Sequence, residues 1–135
     1  MVNVRKCTVL DVSWLVNLAQ EFNDKHFGIP INREKTRDYL WDMVEKGVCF
    51  RTDNAAIVGM LVSDPFRDWS VLVEIGWFSN HPGEGIALLD RFIMAGETHL
   101  VDEVRMTTLH SNPGVAAVLK RKGFDPVETS HRLIM

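Results

Sequence analysis

The strongest β signal in this sequence runs directly into a glycine-containing turn and then into a helical pattern. Ser70–Phe78 is dominated by valine, isoleucine and aromatic residues, which favour a strand. Asn80–Gly85 forms the turn, and the apolar residues from Ile86 onwards recur at helical spacing. The first N–H groups of a helix have no internal partner, so they can bind an anion, and glycine permits close approach. The segment therefore predicts either an anion site or simply a tight strand-to-helix connection.

Periodicity, cap residues and turn residues divide the rest of the chain into short elements. We expect strands at Val2–Cys7, Val48–Thr52, Ala55–Ser63, Ser70–Phe78, Glu103–Leu109 and about Thr129–Ile134, and helices at Thr8 to about Asp24, Asn32–Gly47, Gly85 to about Glu97 and Asn112–Lys122. Asp53 and Asn54 form a two-residue hairpin turn, and Thr8 with Asp11 resembles a capping box. This order predicts a single domain, residues 1–135, of the α/β (α+β) class, with a mixed central sheet, an antiparallel N-terminal part and about four flanking helices.

Glu74 is the one charged residue in the strand signal from Val71 to Phe78. Strict alternation along that strand puts Val71, Val73, Ile75 and Trp77 on one face and Leu72, Glu74, Gly76 and Phe78 on the other. Burial beside apolar neighbours raises the pKa of a carboxyl group towards the range of a general base. A structural carboxylate, paired with an arginine or with backbone N–H groups, is the equally weighted alternative.

Composition and charge exclude several classes of protein. The 135 residues carry fifteen Lys and Arg against eighteen Asp and Glu, a net charge of −3, whereas nucleic-acid-binding domains usually present a basic face. The longest apolar run, Ala55–Val62, is far shorter than the roughly 18 residues of a membrane span. Cys7 and Cys49 suit buried reduced thiols, and no residues have metal-ligand spacing. We therefore expect a cytoplasmic protein with no nucleic-acid, membrane or metal partner.

Two stretches of the sequence resemble motifs of the GNAT superfamily of N-acetyltransferases. The family's pyrophosphate loop reads Gln/Arg-x-x-Gly-x-Gly/Ala and continues Ile-Gly/Ala-x-x-Leu, and a second motif reads Asn-x-x-Ala-x-x-Leu-Tyr-x-Lys-x-Gly-Phe. The matching residues are Gly83, Gly85, Ile86 and Ala87 for the first motif, with Leu89 one position before its leucine, and Asn112, Val118, Arg121, Gly123 and Phe124 for the second. The order of elements in the family also agrees with the order predicted above over nearly the whole chain.

The resemblance implies an acetyl-CoA-dependent N-acetyltransferase with a V-shaped gap between its fourth and fifth strands. In such a protein the backbone at Gly83, Glu84, Gly85, Ile86 and Ala87 would bind the pyrophosphate, that of Trp77, Phe78 and Ser79 would pair with pantetheine, and Asn112 would cap a helix and contact the co-substrate. Glu74 would be the base, acting directly or through water. The acceptor would be a primary amine of a small molecule or a protein, attacking the thioester directly. A homodimer is compatible with the sequence, which carries no signal of oligomeric state.

The sequence departs from the family pattern at three positions. Asn80 stands at the Gln/Arg position, Pro82 where arginine is frequent, and Leu119 where the family often has a tyrosine acid. Phosphate binding would therefore depend mostly on backbone N–H groups. The leucine also keeps open a second class of function, a non-catalytic acyl-CoA-binding or protein-interaction module with the same fold.

Other charged residues have two interpretations each. His110 is either a second proton acceptor or a surface histidine, and Lys120–Lys122 is either a helix end or a contact for the 3′-phosphate of CoA. Residues Glu21–Glu45, expected to form one wall of the acceptor cleft, contain six acidic and four basic side chains. That mild acidic excess predicts a cationic acceptor.

Overall fold

The computed structural model describes residues 2–110 and 112–135 of the chain. In chain order it contains β1 (Arg5–Lys6), a 3₁₀ turn (Val9–Asp11), α1 (Val12–His26), α2 (Arg33–Lys46), β2 (Val48–Arg51), β3 (Ala56–Ser63), β4 (Ser70–Phe78), α3 (Pro82–Thr98), β5 (Glu103–Arg105) and α4 (Pro113–Arg121). The four helices and the first four strands lie within a few residues of the predicted positions. The predicted α/β fold with a mixed sheet is confirmed.

The five strands form one sheet in the order β1-β2-β3-β4-β5. The pairs from β1 to β4 are antiparallel, and β5 pairs in parallel with β4. At the β2–β3 turn, the N–H of Thr52 donates to the carbonyl of Ala55 at 2.9 Å, and the Thr52 hydroxyl accepts from the N–H of Ala55 at 2.9 Å. The two residues between them, Asp53 and Asn54, form the predicted tight hairpin turn.

Local signals set the helix ends. The N–H of Thr8 donates to the carboxylate of Asp11 at 2.8 Å, which is one half of the predicted capping box. The side chain of Asn32 accepts from the N–H of Lys35 at 2.9 Å and caps α2, which ends at Gly47. These caps satisfy N–H groups that a helix start leaves without partners.

The helices cover both faces of the sheet and bury one apolar cluster on each. On one face α2 packs on β2 and β3 and α1 packs on β4. The buried cluster there consists of Cys7, Val12, Leu15, Val16, Leu40, Met43, Val44, Cys49, Ala56 and Val58. On the other face α3 packs on the sheet, and the cluster consists of Val48, Ala55, Ile57, Leu72, Leu88, Phe92 and Ala95. The sheet therefore separates α1 and α2 from α3.

A β-bulge in β4 overturns the predicted alternation of its side chains. Val58 pairs with Gly76 and Gly59 with Glu74, so Ile75 is an extra residue on β4. Beyond the bulge the faces exchange: Trp77 packs with the α3 cluster, as Leu72 does before it. Ile75 and Phe78 pack with the α1 and α2 cluster. The strict alternation expected from the sequence was wrong because a bulge inserts one residue into the two-residue period.

The C-terminal part differs from the prediction in two ways. The strand expected at Glu103–Leu109 is shorter, because β5 pairs with β4 only over Glu103–Arg105. The final strand expected near Thr129–Ile134 does not form: residues 125–135 have no regular structure, and all of them are exposed. Among the described helices, none is both long and apolar enough to cross a bilayer.

Cys7 and Cys49 are both buried, as expected, and they are not joined by a disulfide. The N–H of Cys7 donates to the carbonyl of Cys49 at 2.9 Å, which places the two residues opposite each other. A hydrogen bond of the Cys49 thiol to Cys7, together with burial, raises the pKa of that thiol far above its ordinary value. Cys49 therefore contributes to packing as a protonated thiol.

Candidate active site

The site begins where β4 and β5 separate. The two strands pair from Val71 with Glu103 to Val73 with Arg105, and beyond these residues their backbones no longer pair. Across this gap, the carboxylate of Glu74 accepts a hydrogen bond from the N–H of Thr107 at 3.3 Å. A cavity of about 720 Å³ opens at the same point, and Glu74 and Thr107 both line it. The V-shaped gap implied by the motifs is therefore present in the sheet.

Glu74 is 9% exposed, and its environment changes its acidity. Burial raises the pKa of its carboxyl group to about 7, against a smaller lowering by the hydrogen bond from Thr107. A charged carboxylate loses its hydration in an apolar wall, whereas the neutral acid loses little. Close to neutral pH, this group therefore exchanges a proton readily, which an exposed glutamate does not do.

The first turn of α3 forms a second wall of the cavity and is tied to the end of β4. The indole N–H of Trp77 donates to the carbonyl of Gly85 at 3.2 Å. The hydroxyl of Ser79 donates to the carbonyl of His81 at 2.8 Å and accepts from its N–H at 3.2 Å. The turn that links the strand to the helix is therefore fixed by side chains of the strand itself.

The N–H groups available at the start of α3 are fewer than the motif suggests. The N–H of Gly85 already donates to the carbonyl of His81 at 3.0 Å, which is the first bond of the helix. Pro82 has no N–H, so Gly83 and Glu84 provide the N–H groups with no acceptor among the described residues. The N–H groups from Gly83 to Ala87 were expected to face a ligand, and the structure reduces this set to those of Gly83 and Glu84.

Gly85 has a structural reason to be glycine. A Cβ added there would lie 3.2 Å from the hydroxyl oxygen of Ser79 and 3.7 Å from the indole nitrogen of Trp77. A Cβ added at Gly83 would meet nothing within 4 Å. The close approach that the structure shows at Gly85 is between α3 and the preceding turn, and Gly85 also lines the cavity.

The carboxylate of Glu84 is directed to the β2–β3 turn. It accepts a hydrogen bond from the side-chain amide of Asn54 at 3.4 Å. Glu84 does not line the cavity, although its N–H lies at the start of α3. Its negative charge is therefore held against the β2–β3 turn, outside the cavity lining.

The start of α4 forms a third wall. Asn112 occupies the N-cap position, but its side chain makes no capping hydrogen bond, and it lines the cavity. Gly114, Val115 and Val118 line the cavity as well. Leu119 is buried and does not line it. A side chain at position 119 therefore points into the protein interior, and the cavity wall from α4 has no proton donor among these residues.

The structure brings many of the predicted site residues to this cavity. Those that line it are Glu74, Trp77, Phe78, Ser79, Gly85, Ile86 and Asn112. Gly83, Glu84 and Ala87 do not line it, and neither do His110 nor Lys120–Lys122. The segment Glu21–Glu45 was expected to form one wall of the acceptor cleft, but the sequence did not single out the residues of it that line the cavity, which include Phe22, Asn23, His26, Phe27 and Ile31. These residues lie some fifty positions from Glu74, and no local motif connects them.

The α1 wall is largely aromatic. The ring of Phe22 lies 4.5 Å from that of His26 and 5.2 Å from that of Phe78. The ring of Phe27 lies 6.2 Å from that of Phe22. None of the six acidic residues of Glu21–Glu45 lines this cavity, whereas Lys25 does. The acidic acceptor wall expected from the sequence is therefore not formed.

Three solved structures illustrate what this chain is similar to. A predicted acetyltransferase from Clostridium acetobutylicum, solved with acetyl-CoA, has a TM-score of 0.78 and 17% identity, with 99% of this chain and 96% of that chain covered. A GCN5-related N-acetyltransferase from Ralstonia eutropha JMP134 has a TM-score of 0.77 and 14% identity, with 99% of each chain covered. A protein from Bacillus halodurans C-125 described as a transcriptional regulator has a TM-score of 0.79 and 12% identity over the whole of both chains.

No protein-family model and no curated protein sequence matches this chain. At identities of 12% to 17%, the three structural likenesses establish the fold alone. Two features of the structure agree with these likenesses: β4 separates from β5, and α3 begins with a glycine-containing turn. This chain has the fold of the GCN5-related N-acetyltransferases, the GNAT fold.

Proposed function

We propose that this protein is an acetyl-CoA-dependent N-acetyltransferase and that Glu74 is its general base. The observation that carries the proposal is a buried carboxyl group with a pKa of about 7 on the wall of the cavity between β4 and β5. A base is most effective when its pKa lies near the working pH. When bound, acetyl-CoA supplies an acetyl group activated as a thioester.

The cavity fits an extended, phosphate-bearing ligand. Its volume of about 720 Å³ lies within the range of roughly 300 to 1,000 Å³ that is usual for small-molecule sites. The N–H groups of Gly83 and Glu84 lie at the positive end of α3 and suit the pyrophosphate. Beyond Val73, the edge of β4 that faces β5 has no strand partner, so its backbone can pair with the amides of pantetheine.

Glu74 has one task in this mechanism, which is to remove a proton from the acceptor. A primary amine is largely protonated at neutral pH, since its ordinary pKa is about 10.4. The carboxylate of Glu74 takes one proton from the nitrogen, directly or through one water molecule. The freed lone pair of the nitrogen then attacks the acetyl carbonyl carbon, the bond from that carbon to sulfur breaks, and the second proton lost by the nitrogen passes through water to the departing thiolate.

The leaving group needs little help from the protein. An ordinary thiol has a pKa of about 8.5, so the sulfur can leave as a thiolate near neutral pH. This agrees with the absence of an acid on the cavity face of α4, where Gly114, Val115 and Val118 line the wall. Leu119 in place of the family's tyrosine is therefore compatible with turnover.

The same α4 wall favours a second candidate function, a module that binds acyl-CoA or another protein without catalysis. A protein with this fold that had lost its acid would bind the ligand and release it unchanged. One of the structural neighbours is described as a transcriptional regulator, which is a statement about that protein. The two candidates differ in one measurable quantity, which is acetyl transfer.

The test combines binding and transfer for the natural chain, for Glu74→Gln and for Glu97→Gln. Glu97 is an exposed carboxylate on α3 outside the cavity, so it is the matched control. Acetyl-CoA at 100 times its dissociation constant should add about 2.7 kcal/mol to the stability of all three proteins. Glu74→Gln should lower transfer to amines roughly 10²- to 10⁴-fold at neutral pH, and Glu97→Gln should not lower it.

The dependence on pH separates catalysis from structure. At high pH the amine is already neutral, so the deficit of Glu74→Gln should shrink. An equal deficit at every pH would assign Glu74 a structural role. No thermal stabilisation by millimolar acetyl-CoA would contradict both candidates, and stabilisation without transfer to any amine would favour the non-catalytic module.

A further inference from the structure

A second cavity, here named the side groove, opens from the first one on the α1 and α2 face of the sheet. It has a volume of about 440 Å³. Its lining consists of Ala19, Ile31, Asn32, Lys35, Thr36, Tyr39, Leu40, Val58, Ile75, Gly76 and Phe78. Ala19, Ile31, Ile75, Gly76 and Phe78 line the first cavity as well, so the two spaces meet along β4.

The residues of β4 that line each cavity show where the side groove lies relative to Glu74. Glu74 lines the first cavity but not the side groove, whereas Gly76 lines both. An added Cβ at Gly76 would lie 2.5 Å from the ring of Phe78, so this ring covers Gly76. Ala19, Ile31 and Ile75 line both cavities, so an amine whose nitrogen lies at Glu74 can extend past them into the side groove, away from the start of α3.

The body of the side groove is apolar. Leu40 and Val58 are buried at its base, and the ring of Phe78 lies at its junction with the first cavity. An apolar cavity of about 150 Å³ is enough to bind benzene. The side groove is larger than that, so it can hold a six-membered ring together with a substituent.

The far end of the side groove carries hydrogen-bond donors and a positive charge. The carbonyl oxygen of the Asn32 side chain already accepts from the N–H of Lys35 at 2.9 Å. The hydroxyl of Thr36 donates to the backbone carbonyl of Asn32 at 2.8 Å. The Lys35 ammonium and the Tyr39 hydroxyl make no hydrogen bond to the described residues, and they are one helical turn apart on α2.

No acidic side chain lines the side groove among the described residues, and Lys35 is its one charged lining residue. Lys35 lies on the exposed part of the lining, so its charge meets a ligand group that remains near solvent. A second cation at this end would be repelled by Lys35, and an anion would be attracted and hydrogen-bonded. This charge is opposite to the one that the acidic excess of the sequence suggested.

From this arrangement, which rests on the proposed acetyltransferase function, we infer that the acceptor is a small primary amine with an apolar, ring-sized body and a carboxylate at the end opposite the amine. The amine nitrogen lies at Glu74, the body fills the side groove, and the carboxylate meets Lys35 and Tyr39. Transfer forms an amide bond at the nitrogen, breaks the thioester bond and releases CoA and one proton.

Three probes that share one benzylic amine test this acceptor class. They are 4-(aminomethyl)benzoate, 4-methylbenzylamine and 1,4-bis(aminomethyl)benzene, whose far ends are anionic, neutral and cationic. At low salt we expect kcat/KM to fall by about 10-fold from the anionic to the neutral probe and further for the cationic probe. The differences should shrink at 0.5 M salt, because exposed charges are screened at about that ionic strength.

Lys35→Met tests whether the preference comes from the side groove. It keeps an apolar stem of similar length and removes the charge, so the ratio of kcat/KM between anionic and neutral probes should fall to about 1. Lys46→Met is the matched control, because Lys46 lies on the same helix outside the side groove and pairs with Asp42 at 3.2 Å. That variant should keep the ratio of the natural chain.

Probe binding to the acetyl-CoA-bound Glu74→Gln variant, followed by NMR signals of the probes, separates this inference from the proposed function. The same order of charge preference in binding supports the inference, even if the natural chain transfers no acetyl group. Transfer without a charge preference, a preference for the cationic probe, or an anionic preference that survives in Lys35→Met would each overturn it. Failure of all three probes to bind would overturn it as well.

Discussion

A buried carboxyl group keeps its proton at pH values where an exposed one has lost it, and Glu74 therefore links the stability of this protein to pH. Burial raises the pKa of Glu74 to about 7, from its ordinary value of 4.5. Between these two values the folded state binds more protons than the unfolded state, so stability falls as pH rises. The stability that the protonated Glu74 contributes is fully present below pH 4.5, decreases between pH 4.5 and about pH 7, and is absent above about pH 7.

Glu74→Gln should remove this dependence, because the amide cannot ionise and can still accept the N–H of Thr107. One pKa unit corresponds to about 1.4 kcal/mol. The difference in free energy of unfolding between the variant and the natural chain should therefore shift by about 3 kcal/mol in favour of the variant between pH 4.5 and pH 8. Urea unfolding at both pH values measures it, and other titrating groups cancel in the difference. A difference that does not change with pH would mean that Glu74 ionises as an exposed residue does.

Individual site residues differ in how far the sequence reveals them. Glu74 could be predicted because one charge in an apolar strand is conspicuous. Lys35, His26 and Phe27 lie in the segment expected to form the acceptor wall, but they could not be singled out, because they reach the two cavities through the packing of α1 and α2 on the sheet. At this scale the sequence indicates which residue types are unusual for their element, and tertiary packing decides which of them meet.

At the scale of an element, the start of α3 is the part of the proposed site that depends on backbone alone. Glu84→Pro and Glu84→Ala form a matched pair, because both lose the hydrogen bond between Glu84 and Asn54 and only proline also loses the N–H. Proline is tolerated in a first helical turn, and the preceding Gly83 has no Cβ to clash with its ring.

If the N–H of Glu84 binds the pyrophosphate, Glu84→Pro should bind acetyl-CoA about 10-fold or more weakly than Glu84→Ala. A hydrogen bond to a charged group contributes about 1.5 to 3 kcal/mol, and 1.4 kcal/mol corresponds to a factor of ten. Calorimetric titration with acetyl-CoA gives both constants, and circular dichroism checks that α3 is retained. Equal affinities in the two folded variants would show that this N–H does not contact the ligand.

Elements are predictable where their signals are local. Caps and apolar periodicity located all four helices, and Asp53 with Asn54 located the hairpin. The bulge at Ile75 could not be predicted, because it is defined by the register between β3 and β4 and not by either strand alone. Residues near Thr129–Ile134 have β-prone sequence, but a strand also needs a partner with free backbone groups in the right place.

At the scale of the whole molecule, the cavity exists because two neighbouring strands of the sheet, β4 and β5, separate. The strands β4 and β5 separate after three paired residues each, and that separation makes room for a cavity inside the sheet. The two faces then supply different parts: α3 begins at one wall, and α1 and α2 provide the aromatic wall and the side groove. The fold class could be predicted from the order of the elements, and the loop before α3 from the motifs. The acceptor side was not, since its residues come from distant parts of the chain.

The last residues of this chain should contribute little to the stability of the domain. Residues 129–135 are exposed and have no regular structure, and the ion pair between Arg105 and Glu128, at 3.7 Å, lies outside them. Leu133 is 83% exposed, so its removal returns almost no buried apolar surface to water.

Removal of residues 129–135 should therefore change the free energy of unfolding by less than about 0.5 kcal/mol, as is usual for exposed positions. Leu119→Ala, which truncates a buried side chain on α4, should cost about 2 to 5 kcal/mol and serves as the positive control. Urea unfolding at two protein concentrations measures both variants, and the m-value should not change on truncation. A large loss of stability would show that these residues pair as a strand in solution, and dependence of that loss on protein concentration would identify a second copy of the chain as the partner.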